Sequence, residues 1–447
     1  MSRALPAELA LDSEVAREVR KRRLAEAGWW LAVAGLVAVA TLACIVILEL
    51  PTHPASDVSH YKYWTRQVAT AGVSGAYSGT YPETSAIYPP LTMYGYRAAG
   101  WLYRRLVDPT FDMQVALGSH LLTVLTKLVA VVPLLLGIPI LYGLLTSYAR
   151  PAVAFGIAAM YGLNPAGLFD SAYWGQPDAV HAILLVVAIW LIEKDRPLAA
   201  GIFVGLAAAT KPQAWALFPF LAYVCLRRFG FARSVGLGAT AGLAVLVVCL
   251  PYFMYGTFGE LLRLPRLIAD TMPVASANAH NIWWLATGAA EAFVPDAEPL
   301  LGPVTYRQAA FGLALGVMAF GIWRTDPWAT RGGLAAVAAY LAFGWFMVTT
   351  RAHENHSFMV LPLLAIALPR SGFLVAAFGV VTFTLFANMV LHDYGLATRW
   401  IELLGPATWA RLQFANASVN VVLLVAWTLW LGRNGRASER ASVARAA

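Results

Sequence analysis

Apolar residues in this chain run in long unbroken blocks, without the alternation of a half-buried strand. Blocks at 28–50, 116–146, 151–165, 178–192, 197–210, 212–226, 234–255, 307–323, 331–349, 357–369, 372–391 and 414–431 read as membrane helices. Continuous runs without period two are not barrel strands. The pattern predicts an all-α polytopic membrane protein of about 12 transmembrane helices. Several blocks fall short of the roughly 20 residues that a straight crossing needs. The breaks near 164–178 and 210–212 therefore read as broken or re-entrant helices, which persist at membrane depth only where they line a protein cavity.

Polar segments divide the chain further. Residues 1–27, with Arg17, Arg20, Lys21, Arg22 and Arg23, read as a basic cytoplasmic helix without a secretory signal. Residues 28–432 form one transmembrane domain, with a first outer loop at 51–115 and a long outer loop at 256–306, and 433–447 is a cytoplasmic tail. Within the first outer loop, 58–72 places Tyr61, Trp64 and Val68 on one helical face, and 90–106 does the same for Leu91, Tyr94, Ala98, Trp101 and Leu102. Both read as amphipathic helices in the membrane interface, with aromatics at headgroup depth.

Composition agrees with that frame. Of 447 residues, 59% are hydrophobic and 13% charged, against about a quarter charged in a soluble domain. Cys44, Cys225 and Cys249 all lie in apolar runs and read as packing residues, with neither a disulfide framework nor a metal cluster. The formal charge of +8 comes from basic residues concentrated on the short inner segments, such as "LRRFGFAR" at 226–233. The positive-inside bias accounts for it, so nucleic acid is not an implied partner. Arginine outnumbers lysine 27 to 5, a compositional hint of a bacterial genome and hence of its inner membrane.

With both termini inside, "ASDVSHYKYW" (55–64), "AIYPPL" (86–91), "AYWGQPDAV" (172–180), "ATKPQAW" (209–215), "ANAHNIWW" (277–284) and "TRAHENHS" (350–357) all fall on the outer side. Asp57 is either a solvated or capping carboxylate or a general base. Lys211, followed by Pro212 and Gln213 at a break, either snorkels or faces a cavity. Arg351, His353 and Glu354 end a span, where interfacial and functional roles are both open. Lys127 lies inside the second block. Trp174, Gln176 and Asp178 occupy the re-entrant stretch shaped by Gly175 and Pro177, and either satisfy one another or line a cavity. Asn278 and Asn281 flank His280. Tyr88 precedes two prolines that set a rigid helix start.

One outward carboxylate, several cations near the membrane and a cavity at lipid depth suit transfer of a sugar from a lipid-linked phosphate. The phosphate leaves without a general acid but needs cations for its developing charge. The acceptor hydroxyl needs a base, which one Asp supplies. A single displacement inverts the anomeric carbon. The chain has no Asp-x-Asp pair of the kind that bridges a metal to a nucleotide sugar.

At these residues the chain resembles the GT-C superfamily of membrane glycosyltransferases, and most of all the dolichyl-phosphate-glucose glucosyltransferases of N-glycan precursor assembly. "SDVSHYKYW", "IYPPLTMYGY", "AYWGQPDAV", "TKPQAWALFPF", "NIWW" and "HENHSFMVLP" are similar to that family's motifs, in order through most of the chain. The resemblance carries the catalytic base onto Asp57. It implies donor-phosphate contacts from Lys211, Arg351, His353, Glu354, Gln213 and Lys127, and a substrate cavity at Tyr88, Trp174, Gln176, Asp178 and Asn281. Ile87, Trp174 and Asp178 depart from the family pattern, which bears on sugar and acceptor identity. A bacterial relative would use a polyprenyl-phosphate glucose or mannose and a lipid-linked or cell-envelope glycan acceptor, without a cofactor. A secondary transporter and a non-catalytic polyprenyl-lipid-binding protein are the alternatives. The two halves show no internal repeat of the kind transporters carry.

Overall fold

The structure is a computed structural model that describes residues 5–54, 56–80, 85–288 and 293–434. The tail expected from 433 onward lies outside them except for its first two residues. The chain is almost entirely helical, and helix covers each of the twelve apolar blocks. Among the described residues, apart from isolated bridges, the one β element is a short antiparallel pair, Pro299–Leu301 with Val304–Thr305, which the all-α reading did not include.

Among the described residues, five helices can cross a membrane by length and apolar composition: Leu24–Leu48, His120–Leu145, Pro212–Met254, Gly372–His392 and Pro406–Asn434. A sixth follows if Pro151–Gly162 and Pro165–Tyr173, bent by 44°, count as one span. These helices make the chain an integral membrane protein. Several of the expected twelve are left out by this measure: Asp178–Glu193 has 16 residues, Tyr306–Arg324 has 19 but is not among the helices apolar enough to cross, and others are shorter still. Pro197–Ala208, Gly333–Val348 and Val360–Arg370 are apolar but short. The blocks at 212–226 and 234–255 count together as Pro212–Met254, although Gly230 (φ 75°, ψ 177°) breaks that stretch into two helices, as the apolar pattern has them.

The basic N-terminal segment and the first span are one helix, Leu5–Leu48. Close packing of the short helices depends on glycine. A side chain at Gly201 or Gly205 would meet the Leu237 or Ala241 carbonyl oxygen at 2.3 or 2.2 Å, so Pro197–Ala208 lies backbone against backbone on Phe218–Met254. Gly100 does the same between Pro90–Leu106 and Asp57–Ala71, where a Cβ would meet the Ala69 methyl at 2.6 Å.

The Asp57–Ala71 helix differs from its expected pose. Tyr61, Trp64 and Val68 are buried within the protein, so this face serves the core and is not presented to lipid headgroups. Pro90–Leu106 buries Met93, Tyr96 and Tyr103 and exposes Trp101, Leu102 and Leu106.

Two ends of the bundle are distinct. At one, the Glu193 carboxylate accepts from Gly332 N at 2.8 Å and Leu334 N at 2.9 Å, satisfying the start of the Gly333–Val348 helix. Arg228 there pairs with Asp195 at 2.7 Å and reaches the Pro327 and Ala329 carbonyls at 3.1 Å. The basic short loops meet at this end. The other ends of the same helices, at Asp178, Thr349 and His392, converge on a cavity.

Candidate active site

The cavity has a volume of about 720 Å³. All six polar segments singled out in the sequence contribute to its lining, through Asp57, Tyr88, Gln176, Lys211, Asn278 and the 350–356 stretch among others. They arrive there because the chain breaks helix at each of them. Asn164 caps the Pro165 turn through Ala166 N and Gly167 N, and a π-type turn follows at Phe169–Tyr173. Gly175 then takes φ +73°, where a Cβ would press on Lys127 Cγ at 2.9 Å, so only glycine fits this reversal. Lys211 is extended (φ −151°, ψ 142°) ahead of a 3₁₀ turn at Pro212–Leu217.

Gln176 joins the segments. Its Nε2 donates to Asp57 Oδ2 at 2.6 Å, and its Oε1 accepts from Tyr88 OH at 2.8 Å and Lys211 Nζ at 3.1 Å. These partners fix the amide orientation, since a carboxylate only accepts and an ammonium only donates. Lys211 continues to Asp178 Oδ1 at 2.7 Å and lies 5.0 Å from the Tyr88 ring centre. Asn355 Nδ2 donates to Asp178 Oδ2 at 2.6 Å and to Asp170 Oδ1 at 3.3 Å. Burial, followed by the charges of Asp57 and Asp178, pushes Tyr88 well above its ordinary pKa, so it stays a phenol and donates.

Asp57 is the open end of this network. It is the first residue of the Asp57–Ala71 helix, with Ser56 at the N-cap. Its side chain is 52% exposed, whereas Lys211 and Asp178 are 2% and 1% exposed. His60 Nδ1 lies 3.8 Å from its other oxygen.

The remaining expected residues divide. Gln213, Trp174, Arg351, His353 and Glu354 line the cavity. Trp174 Nε1 donates to Asp393 Oδ2 at 2.8 Å. Arg351 sits in the left-handed region (φ 63°), its Nε on Asp296 at 2.6 Å and its Nη1 on the Ala269 carbonyl at 2.5 Å. Lys127, Asp178 and Asn281 do not line the cavity. Asn281 caps the Ile282–Ala286 helix and holds the Phe346 and Thr349 carbonyls. Lys127 lies behind Gly175, wholly buried, 5.6 Å from the Tyr173 ring centre and without a hydrogen bond on its Nζ. Two of the lysines and arginines expected to face a phosphate freely are thus already paired, Lys211 with Asp178 and Arg351 with Asp296.

Sequence reasoning missed Asp170, Asp296, Asn355, His356, His392 and Asp393. Asp170 had a signal, a lone carboxylate in an apolar run, and Asn355 lay inside a quoted motif. Asp296, in a long polar loop, had none. Among the described residues, no group of three or more His, Cys, Asp and Glu side chains is placed to hold a metal ion.

Burial, with Asp57 and Asp393 adding to it, raises Glu354 to about 8. Below that pH it is a neutral acid on the cavity wall, with a proton it can donate to a bound ligand. Above it, an anion appears beside Asp57. Activity therefore falls through pH 8 on the alkaline side. Glu354→Gln, which stays neutral, removes this limb in a profile of kcat/KM against pH. An alkaline limb of the same midpoint in the Gln variant would assign it to another group. Burial holds His353 below its ordinary value, so it enters the cavity as a neutral ring.

The helical ends and the cavity define a site, in an integral membrane protein, built around one open carboxylate and a buried ion pair. Residues 87–350, more than half of the chain, match Glycosyltransferase family 87: the chain belongs to this family and is a glycosyltransferase. The matched segment holds Tyr88, Gln176, Asp178 and Lys211, and Asp57 lies ahead of it. Among solved structures, the chain is similar to ArnT from Cupriavidus metallidurans, crystallised bound to undecaprenyl phosphate. The identity is 18%, with 92% of this chain and 79% of that one covered and a TM-score of 0.49. No curated protein matches the chain.

Proposed function

We propose that the protein is an inverting hexosyltransferase of GT-C type that takes glucose or mannose from a polyprenyl-phosphate donor. The acceptor is a lipid-linked or cell-envelope glycan at the outer face of a bacterial inner membrane. One observation carries this reading: Asp57 lies half exposed on the cavity, with one oxygen held by Gln176 at 2.6 Å and the other turned toward His60. In the reaction, Asp57 takes the proton of the acceptor hydroxyl, whose oxygen attacks the anomeric carbon opposite the phosphate. The sugar–phosphate bond breaks, and its electron pair leaves on the polyprenyl phosphate. Lys211 and Arg351 stabilise that charge from their paired positions, and neutral Glu354 donates to a phosphate oxygen. A dozen crossings would place all six lining segments on one membrane face.

Purified protein incubated with radiolabelled polyprenyl-phosphate hexoses and a cell-lipid extract tests the reaction. Transfer from one of them is expected, and no transfer from any would overturn the reading. Sidedness is tested separately. The three native cysteines are buried, whereas Ser78 and Ala232 are exposed. Cysteine at Ser78 is expected to react with an impermeant thiol reagent on intact cells, and cysteine at Ala232 only after permeabilisation. The reverse pattern would put the cavity on the cytoplasmic side.

A further inference from the structure

His392 ends the Gly372–His392 helix and lines the cavity, yet the catalytic scheme makes no use of it. Its surroundings determine which of its nitrogens carries the proton. Asn416 Nδ2 donates to the Thr384 carbonyl at 2.9 Å, which fixes the orientation of that amide. The same nitrogen lies 2.7 Å from His280 Nδ1. An amide nitrogen only donates, so His280 Nδ1 accepts and the His280 proton sits on Nε2. His280 Nε2 in turn lies 3.0 Å from His392 Nε2. His280 therefore donates, His392 Nε2 accepts, and the His392 proton sits on Nδ1.

The chain of contacts is rigid. His280 is wholly buried. Its backbone nitrogen donates to Asn388 Oδ1 at 2.8 Å and its carbonyl accepts from Asn420 at 2.9 Å. Burial and the neighbouring His392 hold the His280 pKa well below its ordinary value, so His280 stays neutral. Trp284 packs edge-on to His392 at 5.1 Å and Trp409 at 6.0 Å. A second proton on His392 would set two N–H groups against each other across 3.0 Å. His392 is thus held as a neutral ring, and its Nδ1–H has no acceptor among the described residues.

We propose that His392 is a specificity-determining residue whose Nδ1–H, fixed by the Asn416–His280 relay, donates a hydrogen bond to a hydroxyl oxygen of a sugar bound in the cavity. This rests on the glycosyl-transfer reading for the identity of the ligand as a sugar. The ring is a donor only and takes no proton in the reaction, which separates its role from that of Asp57. The next residue, Asp393, holds Trp174 at 2.8 Å, and Trp174 and His392 both line the cavity.

Solid-state NMR of the full chain, labelled with ¹⁵N-histidine and reconstituted in nanodiscs, reads the proton position directly. His392 is assigned by the resonance lost in His392→Asn. Protonated Nδ1 and bare Nε2 are expected, and an Nε2-protonated His392 overturns the proposal. Methyl α-D-glucopyranoside and methyl α-D-mannopyranoside serve as probes. At least one is expected to move the Nδ1 resonance, and a resonance that neither moves overturns the assignment of a sugar ligand. In transfer assays, His392→Phe is expected to raise the KM of one substrate about tenfold. His392→Asn, whose amide reaches about as far as Nδ1, restores most of it, and His392→Gln, whose amide reaches toward His280, does not. Unchanged KM values in folded His392→Phe and His392→Gln overturn the role. Absence of transfer by the wild type would overturn the hexosyltransferase reading and leave the NMR outcomes to decide this proposal by themselves.

Discussion

Asp57→Asn lowers turnover by about a hundred- to ten-thousandfold, the usual loss on removing a positioned base. Donor affinity is unchanged. The substitution is isosteric, and its amide oxygen still accepts from Gln176 Nε2, now 2.6 Å from Asp57 Oδ2. What disappears is the ability to take a proton. Measuring donor binding and single-turnover rate separately distinguishes this from a structural effect. Near-normal transfer by the Asn variant would make Asp57 a helix-start carboxylate and nothing more, and the single-displacement mechanism would fall with it.

Lys211→Ala has the second large effect, with two parts. Asp178, 1% exposed, loses its ammonium partner and keeps Asn355 at 2.6 Å and His181 at 3.9 Å, and breaking a buried pair in this way costs about 3–5 kcal/mol of stability. The leaving phosphate also loses a cation, so donor affinity and turnover at saturating donor both drop. The double variant Lys211→Met with Asp178→Asn separates the two parts. It removes both charges, so the thermal midpoint recovers, but turnover does not. Recovery of turnover in the double variant would confine Lys211 to holding the fold. Arg351→Ala behaves alike but more mildly, because Arg351 is 26% exposed and Asp296 keeps Arg307 at 3.7 Å. Arg351→Lys restores only part of the activity, since an ammonium lacks the planar fork of a guanidinium.

Elements whose signal is local were legible in the sequence. The twelve apolar blocks became helices because long apolar runs leave the backbone no other way to satisfy its hydrogen bonds in lipid. The breaks at 164–178 and 210–212 were visible as Pro, Gly and polar residues interrupting such runs, and both line or support the cavity. Asp57, Lys211, Gln176 and Tyr88, which lie far apart in the chain, share one hydrogen-bond network. What the sequence did not show was pairing. Nothing near Arg351 announces Asp296, 55 residues away, so the arginine read as a free cation. The stripe of Tyr61, Trp64 and Val68 fits a lipid interface and a protein interior equally well, because periodicity marks an apolar face without naming what covers it. The resemblance puts Lys127 at the donor phosphate, because it falls where the family has an arginine in the second span. The Lys127 side chain instead packs against Gly175, where a Cβ would come within 2.9 Å of Lys127 Cγ, a relation that only three-dimensional packing sets.

The glycine contacts at 201 and 205 bear on how the protein is made. The Pro197–Ala208 helix has 12 residues and rises about 18 Å at 1.5 Å per residue, well short of the roughly 30 Å hydrocarbon layer. Such a segment is a poor substrate for membrane insertion alone. It is retained by docking onto the Phe218–Met254 helix, where only a bare backbone fits. Gly205→Val therefore acts during biogenesis: fewer molecules reach the folded state and more are degraded. Those that assemble turn over at the wild-type rate, because the reacting groups lie beyond the far end of that helix.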